Sequence, residues 1–473
     1  MHSRSLIRCL SVGFLFITFA AHAANWPRFR GPDGLGIADG PRPPVEFGPA
    51  KNVLWKVPLP GGHSSPVIWG DRIFLTAFEN GQLSTLCLDR KDGKILWTRE
   101  APAKEVEKTH RTGSPAAPTP VTDGERVYVY FGSFGLVAYD FTGKEVWNKS
   151  LPVPITEFGA GTSPVLAGDF VLLQCDQDLG SFLLALDRYS GRQVWKAERS
   201  EFRRAFTTPL VWRHAGGEEV VVPGSLALTS YNLKDGKLLW TVRGMARVAN
   251  ASPVAGDGLL FVSSWTPGQE PGAIIEMPRF KDYAPANDKN EDGKITLDEV
   301  PNSALRGRFG QIDLDKDGIA TPEEWDGMAD MFVQAEHALF AVKPGGRGDI
   351  TKSHVAWKQS RALPYVSSPL FYQGRVFTVK SGGLASCYDA KSGKIHYQDE
   401  RLGALGDYYA SAVAAGGVIY IASQQGMVVV LESADTLNVL ARNAMGEKIY
   451  ATPAIVDGKI YLRTEKQLYC LGN

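Results

Sequence analysis

The sequence predicts an all-β fold, an eight-bladed β-propeller of four-stranded antiparallel blades, closed by an N-terminal strand and carrying a small α-helical insertion. Three observations predict it. A short phrase recurs along the chain: Ser-Pro or Thr-Pro, a β-rich run, then Gly-Lys with a Trp four residues after the Gly. Its Pro falls at Pro66, Pro120, Pro164, Pro209, Pro253, Pro369 and Pro453. From Pro66 to Pro253 the spacing is about one four-stranded unit, as in a propeller array. The gap from Pro253 to Pro369 is far longer, and two acidic loops of calcium-binding type lie inside it.

The first unit, 64–100, shows the grammar. Ser-Ser-Pro-Val-Ile-Trp reads as strand one and Gly70-Asp71 as a tight turn. Arg-Ile-Phe-Leu-Thr-Ala-Phe is strand two, and Glu79-Asn80-Gly81 turns again. Ser-Thr-Leu-Cys-Leu-Asp is strand three, Lys91-Asp92-Gly93-Lys94 a third turn, and Ile-Leu-Trp-Thr strand four. These are β-branched and aromatic runs between Asx/Gly hairpin signals. The same order returns at 116–150, 161–199, 206–243, 366–401 and 409–443, and truncated at 450–473. The closing Trp is Trp97, Trp147, Trp195, Trp240 and Trp357, with Tyr397 and Leu440 in that place in the next two units. The fifth unit opens at Asn250, resumes at His337 and ends at Trp357.

The last unit lacks its fourth strand. The run 52–59, with Trp55 in the docking place, supplies it, and a ring closed from both termini leaves no exposed edge. The propeller therefore spans 51–473, with the insertion at 278–334. Cys87, Cys387 and Cys470 occupy one slot in three units, too far apart in a radial array to bridge, so these and Cys175 are expected as free thiols.

Residues 1–23 read as a secretory signal: Arg4 and Arg8, an apolar stretch 9–20, then Ala21-His22-Ala23 as a small-x-small cleavage site. This segment has no Arg-Arg pair, and Cys9 lies too early to be a lipoprotein cysteine. The apolar stretch is short for a span and no later segment supplies one, so no transmembrane anchor is expected. Lys+Arg and Asp+Glu both total 51, which gives no global field for nucleic acid. Cleavage removes two basic residues and leaves a formal charge of −2. The mature chain is expected to be exported, periplasmic or otherwise outside the cytoplasm, soluble and monomeric. Residues 24–50, rich in Gly and Pro, are expected to run extended over the surface.

The long gap carries the clearest chemistry. Asp288, Asn290, Asp292, Lys294, Thr296 and Glu299 stand at places one, three, five, seven, nine and twelve of an EF-hand loop, with Gly293 at the sharp turn. Ca²⁺ takes several oxygen ligands, here side chains, the Lys294 carbonyl and a bidentate Glu299. Asp313, Asp315, Asp317, Ile319, Thr321 and Glu324 repeat the spacing around Gly318. Two Ca²⁺ sites are expected. Loop two has four acids against three, so it is expected to bind more tightly, although Ala320 stands where loop one has Ile295 in the usual inter-loop β contact. Leu305, Phe309 and Ile312 at helical spacing predict one helix joining the loops, and Trp325, Met328, Met331 and Phe332 continue an apolar stripe. The insertion lies between strands two and three of blade five, so it projects from the face bearing the blade-to-blade links. Stabilising the long insertion is its expected role, ahead of capping the funnel or docking a partner.

Strand one of each blade faces the channel, which places His63, Asn250, Tyr409 and Tyr450, with Arg204, Arg247 and Tyr365 upstream, around a polar and aromatic funnel. No P-loop, nucleophile elbow or close His-ligand spacing occurs, and Gly31-x-x-Gly34-x-Gly36 has no strand–helix context.

Ala185-Leu186-Asp187, Ser190-Gly191 and Trp195 resemble the tryptophan-docking motif of the pyrroloquinoline-quinone (PQQ) propeller superfamily, and Asn25-Trp26-Pro27-Arg28-Phe29-Arg30-Gly31-Pro32 is similar to the start of exported PQQ-like repeat proteins. The resemblance covers 50–473 apart from the insertion. It implies one of two classes, quinoprotein dehydrogenases using PQQ and calcium, or non-catalytic propellers such as the B-type lipoprotein of the outer-membrane assembly machinery. The dehydrogenases tend to have an adjacent Cys-Cys pair, which this chain lacks; it also lacks the lipidated N-terminal Cys of the assembly lipoprotein. The reading is therefore an exported calcium-binding propeller, leaning non-catalytic, that binds or scaffolds a protein or envelope-component partner. The alternative is a PQQ-dependent dehydrogenase of alcohols or sugars.

Overall fold

Eight four-stranded antiparallel sheets form the computed structural model, which describes residues 25–268, 274–301 and 303–473. The expected signal segment 1–23 lies outside the described residues. Blade one contains Val67–Trp69, Arg72–Glu79, Gln82–Asp89 and Ile95–Glu100, and each later blade repeats this order. The middle strands are buried almost throughout; the fourth alternates between buried and exposed. That is the pattern of a strand covered on one face by the next blade. Val53–Pro58 pairs antiparallel with Gln467–Leu471, with Trp55 opposite Cys470, and completes blade eight as expected.

The Trp repeat holds blade to blade. The indole N–H of Trp97 donates to the Phe141 carbonyl at 3.0 Å, Trp147 to Arg188 at 2.9 Å, Trp195 to Leu233 at 3.0 Å and Trp357 to Ala390 at 2.9 Å. Trp55 does the same across the closing seam, to Arg90 at 3.2 Å. Each indole covers the Gly of the next blade's turn. Gly191 has φ +70°, and a Cβ there would sit 2.6 Å from the Trp147 ring. Only glycine suits both the backbone and the contact.

Trp240 departs from this pattern. Its indole donates to the Glu219 carboxylate of its own blade at 3.0 Å. The next blade's turn is the irregular 343–354 segment, which sends Gly348–Asp349 back as a parallel fifth strand beside Trp240. Leu440 is 38% exposed.

Residues 25–50 do not lie passively on the surface. Trp26 forms an antiparallel bridge to Ile68 of blade one, and Ile37–Ala38 pairs parallel with strand one of blade seven. Thr122 of blade two donates to the Pro27 carbonyl, and Arg30 reaches the Pro369 carbonyl of blade six at 2.8 Å. Trp26 and Arg30 are fully buried. The segment is a strap across the inner ends of the blades, because its Gly and Pro residues let it approach strand edges closely while its aromatic and Arg side chains fill the gap.

The insertion folds as a small unit with its own core. Helix α1 spans Phe280–Asn287, α2 Phe309–Ile312 and α3 Pro322–Gln334. Ile295, Leu305, Phe309, Ile312, Ala320, Trp325 and Met328 are buried together, and Trp325 stacks on Tyr283 at 4.3 Å. The single helix expected between the loops is replaced by a 3-10 turn, Arg306–Arg308, followed by the one-turn α2. Pro301, Gly307 and Gly310 are poor helix formers and account for the break. Among the described residues no helix is long and apolar enough to cross a membrane.

Trp147→Ala is expected to cost about 3–5 kcal/mol by leaving a cavity at the blade seam. Gly191→Ala is expected to cost at least about 2 kcal/mol, from the left-handed backbone plus the ring contact. Urea unfolding of the full chain checks both.

Candidate functional site

The blades meet at the axis through the residue before each Pro. Ser65, Thr119, Ser163, Thr208, Ser252, Ser368, Ser411 and Thr452 all line one central cavity of about 310 Å³. The backbone N–H of Ser65 donates to the Thr119 hydroxyl at 2.9 Å, Thr119 to Ser163 at 3.0 Å, Ser163 to Thr208 at 3.3 Å and Thr208 to Ser252 at 2.9 Å. Ser252 then donates to Ser368 at 3.0 Å, Ser368 to Ser411 at 3.1 Å, Ser411 to Thr452 at 2.9 Å and Thr452 back to Ser65 at 3.1 Å. The bonds close into a belt, and all eight residues are buried. A Pro follows in every blade but the seventh, where Ala412 stands; the Pro presents no second N–H to satisfy at the axis.

Phe29 of the strap also lines the cavity. The blade links bring His63, Asn250, Tyr365, Tyr409 and Tyr450 to its walls, as the sequence predicts. His63 stacks on Tyr450 with ring centroids 4.0 Å apart. Burial, with Arg463 nearby, pushes its pKa down to about 3, so the ring is neutral. The Tyr450 hydroxyl accepts from Gln424 at 2.9 Å. His110, Ala117, Phe158, Phe206 and Val248 also line the wall; sequence reasoning missed them because their links follow no repeat.

Arg204 and Arg247, expected in the funnel, do not line it. Arg204 is drawn to two acids: it is paired with buried Asp178, and its Nη1 lies 2.9 Å from Glu157. Arg247 lies over the Phe332 ring at 4.1 Å and donates to the Pro267 carbonyl at 3.1 Å.

These contacts also seat the insertion. Arg204 donates to the Gly310 carbonyl at 3.2 Å, Gln311 to Glu157 at 3.2 Å, and Lys316 to Asp178 at 2.8 Å. The insertion thus docks on the link face, over blades three to five, and none of its described residues lines the cavity.

The twelve expected calcium ligands sit in two loops of matching form. In loop one the Gly293 N–H donates to Asp288 at 2.9 Å and Lys294 N–H to Asp292 at 2.9 Å; Thr296 N–H donates to Glu299 at 2.8 Å. In loop two Gly318 N–H donates to Asp313 at 3.1 Å, Ile319 N–H to Asp317 at 2.8 Å, and Thr321 N–H to Glu324 at 3.0 Å. Asn290 faces Asp292 at 3.0 Å, and Asp315 accepts from Asp317 N–H at 3.2 Å. Ile295 pairs with Ala320 and Thr296 with Ile319, so the inter-loop β contact forms with the smaller Ala320 in place. Asp313 Oδ1 is buried without a hydrogen-bond partner, and burial raises its pKa. The carboxylates of Asp313, Asp315 and Asp317 offer oxygens within 4.8 Å of one another.

The four cysteines among the described residues, Cys87, Cys175, Cys387 and Cys470, are unpaired, as expected. Burial pushes the Cys87, Cys175 and Cys387 thiols up to about 12, so they are inert; Cys175 is only half-buried.

A family profile described as outer membrane protein assembly factor BamB matches residues 88–266. The fold is similar to BamB from Moraxella catarrhalis, at 14% identity over 88% of this chain and 98% of that one, with a TM-score of 0.54. It is also similar to the quinohemoprotein alcohol dehydrogenase of Comamonas testosteroni, at 11% identity over 96% and 81%, TM-score 0.54. The computationally designed Ika8 protein matches at 10% identity over 89% and 100%, TM-score 0.55. The chain is a PQQ-like propeller in fold. No curated protein sequence matches it.

The residues around the axis do not fit a calcium–quinone pair. Ca²⁺ takes carboxylate and carbonyl oxygens, and alcohol oxidation needs a base. The cavity wall carries Ser, Thr, Tyr, His, Asn and apolar side chains and no carboxylate.

Thr119→Val leaves the Ser65 N–H buried without its acceptor and is expected to cost about 1–3 kcal/mol, whereas Thr119→Ser keeps the bond. Comparing the two by urea unfolding separates the hydroxyl from packing. Glu107 is buried behind the wall, where burial lifts its pKa from 4.5 to about 7 despite a hydrogen bond from Ala160 N–H. Its folded pKa lies above the unfolded one, so its neutral form favours folding. Its contribution to stability is greatest below pH 4.5 and falls by up to about 3 kcal/mol as pH rises to 7. Glu107→Gln is expected to flatten that slope in unfolding measured from about pH 4 to 8.

Proposed function

We propose that this is an exported calcium-binding propeller that works as a scaffold for a protein or envelope-component partner, without a reaction of its own. The observation that carries the calcium reading is Asp313. One carboxylate oxygen accepts the Gly318 N–H; the other is buried and unpartnered, beside Asp315 and Asp317. A buried oxygen of this kind costs free energy unless a proton or cation meets it. The loop's other acids make a divalent cation the fitting partner. Glu324 already accepts from Leu314 and Thr321 N–H at 2.8 and 3.0 Å, which orients it at the closing place.

Both loops have the EF-hand spacing, and their paired β contact supports a two-ion unit. Calcium there would stiffen the insertion and its seat on blades three to five. The scaffold reading is supported by the match to an assembly-factor profile and by a cavity wall without carboxylates. Export rests on the signal-like residues 1–23.

Calorimetric titration of the full chain with Ca²⁺ tests the proposal. Two sites are expected, with loop two tighter. Asp313→Ala should therefore leave weaker residual binding than Asp288→Ala; the reverse result refutes the order. Absence of both heat and thermal stabilisation refutes calcium binding. Incubation with PQQ and Ca²⁺ followed by desalting tests the rest, since retained quinone absorbance with dye-linked alcohol or sugar oxidation would overturn the non-catalytic reading.

A further inference from the structure

We infer that the central cavity is a binding site for a small anion, an oxyanion or a compact carboxylate, held by the hydroxyl belt. Each belt oxygen accepts a backbone N–H from its neighbour. Its own O–H proton has no acceptor among the described residues, and every one of these eight buried residues lines the cavity. Buried donors are met by acceptors, so a ring of them selects an acceptor-rich occupant.

Two cations stand behind the belt. Arg30, in the strap, is fully buried; Nη2 donates to the Pro369 carbonyl, next to belt Ser368, and Nε and Nη1 have no partner. Arg463 is 1% exposed and donates to the Ser64 hydroxyl at 2.8 Å and the Thr76 carbonyl at 2.8 Å, beside belt Ser65. Its Nε is also unpartnered. Both make their hydrogen bonds to carbonyls and hydroxyls rather than to carboxylates. The carboxyl behind the wall, Glu107 at Ala160, has its pKa lifted by burial to about 7, so below neutral pH it is largely uncharged and the two guanidinium charges, in a region of low dielectric, give the cavity a positive potential. The lining holds no Asp or Glu, so no carboxylate competes for the donors. Each belt oxygen already has one of its two lone pairs engaged by a neighbour's N–H while its proton is unengaged, so the belt has more donor capacity to spare than a neutral sugar, itself rich in donors, would use.

The cavity volume of about 310 Å³ admits a small ligand only. Phe158, Phe206 and the stacked His63–Tyr450 pair provide faces for a flat ring carried by the anion. The site shares no residue with the acidic loops.

The test is calorimetry on the full chain with two probes, sodium sulfate and sodium benzoate, at fixed Ca²⁺. Both are expected to bind saturably, once per chain and in competition. Tighter sulfate would assign a bare oxyanion, and tighter benzoate a carboxylate with a ring. Ala117→Trp and Val248→Trp introduce an indole from different links without touching the belt. Each variant that keeps the wild-type melting temperature and Ca²⁺ binding should weaken both probes at least tenfold. Saturable binding of neither probe to the wild type overturns the proposal, as does undiminished binding in a folded Trp variant.

Discussion

The fold depends on a closed ring of backbone-to-hydroxyl hydrogen bonds. Sheets packed face to face around an axis bring their first strands together where no sheet ladder can run between them. Their inward N–H groups still need acceptors. A hydroxyl at the head of strand one, followed by Pro in every blade but the seventh, answers that need once per blade, and the bond from Thr452 to Ser65 makes the answer circular. Circularity matters because every blade is both donor and acceptor. No blade can shift along the axis without breaking two bonds.

The outer seams work differently. There the indoles bridge one blade's fourth strand to the next blade's turn, and each pairs burial of a large ring with one directed hydrogen bond. Where the next turn is irregular, Trp240 takes the Glu219 carboxylate instead. The seam survives because Gly348–Asp349 fills the place of the missing turn. The insertion adds a third kind of joint, a buried ion network around Asp178 in which Arg204 belongs to the propeller and Lys316 to loop two. An ion bound in loop two would therefore act one residue from a propeller contact.

What was legible in the sequence is what repeats locally. Strand runs, Asx/Gly turns and the docking Trp recur at fixed offsets, so eight blades and the closing strand could be read. The calcium-type loops were legible because all their candidate ligands lie within twelve residues. The belt was not. A hydroxyl before Pro reads as turn chemistry, and its partner lies a blade away, 44 residues for Thr119 and Ser163. The strap was illegible for the same reason at greater range: Tyr420 donates to the Pro43 carbonyl across 377 residues. Arg204 and Arg247 were misplaced because Asp178, Glu157 and Phe332 compete for them, and spacing cannot weigh such competition.

The strap also orders events in time. Trp26 can bridge Ile68 as soon as blade one exists, but Ile37–Ala38 must wait for blade seven and Val53–Pro58 for the final strand. The segment 25–58, made before any complete blade, is thus among the last to be fixed. Until then blade one and the truncated last blade expose strand edges, which are templates for mispairing. Contacts this distant in sequence form slowly, since a long loop must close before they are rewarded. Folding can finish only after the last strand arrives, so the interval before ring closure is when the chain is most exposed to aggregation and proteolysis.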